Sequence, residues 1–398
     1  MIPPAAALVF MGAWNLPHVR SIATLKGERR ILEKQIATAL VQRTVEAGSS
    51  TKDVNCDEFF RQRVGMRGAG GKDKMRIEEQ IAGMSVDEMI AALDGLADMD
   101  LSAEEREKLE SALAGRLIEE DPQLALQRFA DRISSPDGLG WRLVEALKLS
   151  ARNDLPAATA WFDRQISEGK FESKSLEERS EMRLQFEGAL LASLLAEDPD
   201  AAARRLADLP ADLRREVLQQ LAFDELSATE QAHYARLVRG LVPVSEREGS
   251  FAHAASELVG GGLSDVGNFL DSVNASPQER AAAAGDAATS HLKILAGEGS
   301  VTAAKVDAMR QWLERQVPGL TDSITGKALA EAAQERGRFA FQDAALLVLQ
   351  YQKSSSSDAV LVAFLQSYSA RSNLDEARHL ADRIKDAKLR GEILYQLK

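Results

Sequence analysis

A chain of 398 residues with 45% apolar residues, only 5% aromatics and a formal net charge of -12 has enough apolar surface to fold. Abundant Ala, Leu, Glu and Arg with few β-branched runs favour helix over sheet. The charge is uneven, with 13 Lys and Arg against 7 Asp and Glu in residues 18–76 but 36 against 54 in residues 77–398. So acidic a body repels phosphate backbones, which argues against nucleic acid as a partner. The single cysteine, Cys56, excludes an intrachain disulfide and a Cys-rich zinc site, and leaves the compartment open.

Residues 1–17 form an uncharged apolar segment, IPPAAALVFMGAWNLP after the first methionine, with Arg20, Lys26, Arg29 and Arg30 following. It is shorter than the roughly 20 apolar residues that span a bilayer and carries three prolines. It shows neither the basic n-region nor the clear A-x-A cleavage site of a secretory signal, which it therefore fits poorly. Two readings follow, an anchor that begins upstream or a loosely packed apolar tail. Residues 18–47 then read as an amphipathic helix, with Ile22, Leu25, Leu32, Ile36 and Ala39 on one seam that Arg29 and Arg43 interrupt.

Residues 48–73 form a Gly-rich basic linker. Within GMRGAGGKDK (Gly65 to Lys74), a phosphate-binding loop would need glycine at Met66 and Ser or Thr at Asp73, so the segment reads as linker. Arg61, Arg63, Arg67, Lys72, Lys74 and Arg76 are opposed only by Asp73. The simplest account is a solvated basic linker; beside an anchor, the same residues would meet an anionic membrane surface.

From residue 74 to 398 helix-start signals recur. Ser85 with Glu88, Ser102 with Glu105, Ser175 with Glu178, Ser227 with Glu230 and Ser276 with Glu279 fit the capping box, in which hydroxyl and carboxylate satisfy each other's free amides. Asp121-Pro122 and Asp198-Pro199 add an Asp cap with proline in the first turn, where its missing N–H costs nothing. The segments DPQLALQRFADRI, DLPAATAWFDRQI, DPDAAARRLADLP and NLDEARHLADRI share one layout: cap, alanine on the packing face, then larger apolar residues a turn apart. Placed near 85, 121, 154, 198, 227, 263, 301, 340 and 374, such starts predict about nine helical hairpins of about 36 residues each, stacked as an all-α solenoid. An irregular globular helical domain is the competing architecture.

The stretch LVAFLQSYSARSNLDEARHLADRI resembles the tetratricopeptide superfamily. Leu361 and Phe364 match its apolar first-helix positions, Tyr368 its aromatic position and Ala377 its small crossing position; Leu365 and Ala381 depart in size, and no proline closes the unit. The DP-x-x-A layout after an apolar start is also similar to uncharacterised helical-repeat proteins of bacterial envelopes. That resemblance implies a location at the cell envelope, tethered through the N-terminus; without a tether the cytoplasm is expected.

The chain supplies no recognisable catalytic constellation. His18, His233, His253, His291 and His379 belong to no H-E-x-x-H helix, and His253 with Glu257 lacks a third ligand. Asp98 with Asp100, and Glu119, Glu120 and Asp121, sit where they complement helix starts. Trp141, Trp161 and Trp312 are expected in the core, and Gly260 to Gly262 as a turn. No catalytic, cofactor-binding or metal residue is therefore expected, and no cofactor. The expected function is a non-catalytic scaffold binding a protein or peptide partner along the helical-repeat groove. The alternatives are an enzyme with a helical toroid fold acting on cell-wall or lipid material, and a passive structural spacer.

Overall fold

The computed structural model describes residues 81–99, 101–134, 138–171, 180–333 and 339–397. The apolar start, the 18–47 helix, the 48–73 linker with Cys56, the basic cluster, His18, Asp100 and the Ser175–Glu178 capping box lie outside the described residues. The chain divides into two compact units, residues 1–77 with 90–101 and residues 78–89 with 102–398. Among the described residues there are 19 α-helices and no strand. The class is all-α, as the composition predicts. No helix among these residues is long and apolar enough to cross a membrane.

The first helix, α1 (Val86–Gly95), opens with the Ser85 amide donating to Glu88 Oε2 at 2.7 Å and the Glu88 amide donating to Ser85 Oγ at 3.3 Å. In the second unit the chain continues through α2 (Ala103–Glu120), α3 (Pro122–Arg128), α4 (Leu139–Asn153), α5 (Leu155–Ser167), α6 (Glu181–Glu197) and α7 (Pro199–Asp208). There follow α8 (Ala211–Leu218), α9 (Ala228–Leu241), α10 (Val244–Leu258), α11 (Leu263–Ser272), α12 (Pro277–Gly297) and α13 (Ala303–Gln316). The last are α14 (Thr321–Ala332), α15 (Phe341–Ser355), α16 (Ala359–Leu365), α17 (Tyr368–Ser372), α18 (Leu374–Ala381) and α19 (Ala387–Gln396).

Caps set these starts. Complete capping boxes open α2 at Ser102, α9 at Ser227 and α12 at Ser276. Asp121, Asp154 and Asp198 accept from the amides of Leu124, Ala157 and Ala201 at 2.9, 3.0 and 2.9 Å, each with proline in the first turn that follows. Four residues after Asp121, Asp154, Asp198 and Asn373 stand Ala125, Ala158, Ala202 and Ala377, all at most 1% exposed. A methyl there lets two helix axes approach, and larger neighbours such as Trp161, Phe162 and Leu206 fill the adjoining space.

Within the second unit the even-numbered helices pack on one another in succession, α2 on α4, then α6, α8, α10, α12, α14 and α16. The odd-numbered α7, α9, α11 and α13 pack on one another likewise, and each helix also meets its partner along the chain. Between α14 and α16 the even layer makes a close approach at Gly326. A Cβ built on Gly326 would stand 2.1 Å from the Val360 carbonyl oxygen, so only glycine permits this crossing. Gly188 does the same for α6, where a Cβ would lie 2.5 Å from Cβ of Gln220.

Aromatic side chains fill the space between layers. Trp161, Phe162, Phe171 and Phe186 form one knot with ring centroids 5.2 to 6.1 Å apart, and Phe223, Tyr234, Phe251 and Phe269 a second at 4.8 to 6.0 Å. These separations suit edge-to-face and offset packing. Arginines fasten successive hairpins. Arg205 of α7 donates to Glu187 of α6 at 2.6 Å and to Asp163 of α5 at 2.9 Å, its guanidinium lying over the Phe162 ring. Arg239 of α9 grips Glu279 of α12 with both arms, at 3.0 and 2.8 Å, and donates to the Val273 carbonyl at 3.0 Å.

Three expectations are corrected. Trp141 is 48% exposed, while Trp161 and Trp312 are buried. The helix meant to carry the tetratricopeptide-like first-helix positions ends at Leu365. Ser367 then caps the separate short α17 by accepting from the Ala370 amide at 3.2 Å, which leaves Tyr368 72% exposed. Asn373 makes no side-chain cap for α18; its Nδ2 donates back to the Ser369 carbonyl at 2.9 Å.

Candidate functional site

The residues weighed as ligands separate in the fold. His253 of α10 meets the Gln219 carbonyl oxygen through Nε2 at 3.2 Å, which ties it to the preceding hairpin, and Glu257 is exposed one turn on. His233 likewise approaches the Leu195 carbonyl through Nδ1 at 3.0 Å. Burial holds the His291 imidazole below its ordinary value of 6.5, with Lys305 acting in the same direction. Among the described residues no three His, Cys, Asp or Glu side chains come together in a way that would hold a metal ion. Glu119 and Glu120 pair with Arg116 at the end of α2, and Asp121 is committed to its cap.

What the structure does assemble is a face on the even layer. On the outward side of α12 the small residues Ala282, Gly285 and Ser290 accompany Asp286, Lys293 and the exposed Ile294. A Cβ built on Gly285 meets nothing within 4 Å, so the surface there is open. On α14, Lys327 and Glu331 lie one turn apart at 3.9 Å, and Lys293 reaches across from α12 to the same Glu331 at 3.5 Å. Two cations thus share one carboxylate.

Asp286 stands beside this group with no hydrogen-bond or salt-bridge partner among the described residues. Its side chain is open to solvent, but the surrounding protein displaces enough water to push the carboxyl above its ordinary value of 3.8. Lys327, Lys293 and His253 oppose that rise, and Glu331 adds to it.

One turn before Lys327, Ser323 lines a groove of about 480 Å³ between α14, α16 and α19. Its walls are Ala359, Val362 and Ala363 of α16 with Gln366 just past its end, Ser357 and Asp358 just before that helix, and Leu389 of α19 opposite. Asp358 does not offer a free charge there. It accepts from Gln352 Nε2 at 2.7 Å and from the Lys385 and Asp386 amides at 2.8 and 3.1 Å. Burial pushes this carboxyl up, yet those donors outweigh it and hold Asp358 below its ordinary value.

Sequence reasoning passed over Asp286, Lys327 and the groove, because no local motif contains them. The one signal present was a lone acid in an alanine run, AAAAGDAA (281–288), where a merely solvated helix face would carry several charges. No protein-family model, no curated protein and no solved structure matches the chain.

Proposed function

We propose that the two packed layers belong to an α-solenoid of the tetratricopeptide kind and that the protein is a non-catalytic scaffold, binding a protein or peptide partner along the even-helix face. The observation that carries this is the unbroken succession of even helices from α2 to α16, whose outward side at α12 is lined by small residues and left open. Small rotations between stacked hairpins turn such a layer into a concave groove. Apolar residues 2–17 and the basic residues from Arg61 to Arg76 support tethering the scaffold to an anionic membrane surface at the cell envelope, at about 1 kcal/mol per cation near the surface.

A photo-reactive phenylalanine placed at Ala282 on the even face, and another at Arg236 on the exposed side of α9, test this in cells. A defined protein captured from Ala282 and not from Arg236 is expected. Capture from neither position, or equally from both, would sink the reading. A passive spacer would give neither, and a helical toroid enzyme would release its substrate without lasting capture of a protein.

A further inference from the structure

Resting on the scaffold reading, we infer that the face formed by α12, α14 and α16 docks an extended peptide segment that carries a lysine or arginine. The cation pairs with Asp286, and a neighbouring apolar side chain enters the groove between Val362, Ala363 and Leu389.

Charge complementarity selects this occupant. Lys293 and Lys327 lie within the field of Asp286 but make their salt bridges to Glu331, at 3.5 and 3.9 Å, and Asp358 is held by three donors, so Asp286 is the carboxylate of the face that makes no hydrogen bond or salt bridge among the described residues. Asp286 is exposed before docking, and its attraction to an incoming cation grows as the bound peptide displaces the water around it. Residues 77–398, with 54 acidic against 36 basic side chains, would steer a basic segment towards it and turn away an acidic one. The same field disfavours nucleic acid.

Shape agrees. Ala282 and Gly285 beside Asp286 leave room for a partner backbone, and beyond its own stretch of helix a Cβ on Gly285 would meet nothing within 4 Å. The groove joins two apolar walls, Val362 with Ala363 on α16 and Leu389 on α19, to polar edges at Ser323 and Gln366. That combination suits one aliphatic or aromatic side chain and a hydrogen-bonding backbone. Neighbouring helices lie about 8–10 Å apart, so α12 and α16 are separated by about 16–20 Å, and an extended chain advances about 3.3 Å per residue; the cation and the apolar side chain should be about five to six residues apart.

The test is a random-peptide library displayed on phage and selected on the immobilised full chain. Selected peptides should carry Lys or Arg about five to six residues from an aliphatic or aromatic residue. Asp286→Asn should weaken them about tenfold or more, and Ala363→Arg, which fills the groove, should do so independently. Arg236→Gln on the other layer should change nothing. Circular dichroism of Asp286→Asn should match the native chain, since the side chain is exposed and the replacement has the same shape. Selection of no peptide, peptides without enriched cations, or full affinity in Asp286→Asn would overturn the docking chemistry. If photo-capture from Ala282 still succeeds in that case, the scaffold reading stands without this site; if capture fails as well, both fall.

Discussion

Gly326 and Glu279 show how narrow the tolerances are at single positions. Replacing Gly326 by alanine puts a methyl 2.1 Å from the Val360 carbonyl oxygen, so α14 and α16 must separate. That repacking should cost about 2–3 kcal/mol, read as a lowered midpoint in urea denaturation. Glu279 is buried, and burial alone would raise its carboxyl. The fork from Arg239 and the Ser276 amide and hydroxyl instead hold it below its ordinary value of 4.5. A carboxyl depressed on folding contributes stability that is complete above its unfolded value and is lost as pH falls through the lower folded one. Glu279→Gln should therefore melt below the native chain at neutral pH, and the gap should close as the medium is acidified past 4.5. A gap independent of pH would mean that the ionised pair with Arg239 is not what Glu279 contributes.

At the scale of the element, the sequence is most legible where the physics is local. A capping box needs only four consecutive residues, and Ser227 with Glu230 behaves as its letters imply: the Ser227 amide donates to Glu230 Oε2 at 2.5 Å and the Glu230 amide to Ser227 Oγ. Ser227→Ala should cost about 1 kcal/mol, seen as a lowered thermal midpoint with the helical content at low temperature unchanged. Where an element depends on distant contacts, legibility fails. Trp141 shares an amphipathic pattern with Trp161, yet Gly140 beside it is pressed so close to the Ile133 carbonyl that a Cβ would stand 2.2 Å away. That crossing fixes Leu139 and Gly140 on the inner side of α4, and Trp141 falls outside. The break after Leu365 has a similar origin. Ser367 offers a local cap that ends one helix and begins another, which apolar spacing alone does not register. Asp286 and Lys327 were beyond reach for the same reason, since only the packing of α12 on α14 brings their separate hairpins together.

For the whole molecule the consequence of layer-by-layer packing is that contacts reach mainly to adjacent hairpins. Arg239 and Arg205 make this concrete, the first joining α9 to the segment that starts α12, the second joining α7 to α5 and α6. If the helices form the proposed solenoid, stability is close to a sum of each unit and its interface with the next, and an end can be removed without unfolding the remainder. A chain ending at Asn373 loses α18 and α19, which pack on α16 and α17 and on each other. It also loses the Lys385 and Asp386 amides that hold Asp358, so the new end at α16 should fray. The expected circular dichroism signal falls only in proportion to the helix removed, and thermal melting keeps a cooperative transition at a lower midpoint. Abolished helicity would instead require that the hairpins share one indivisible core, the behaviour of a globular helical domain rather than of stacked repeats.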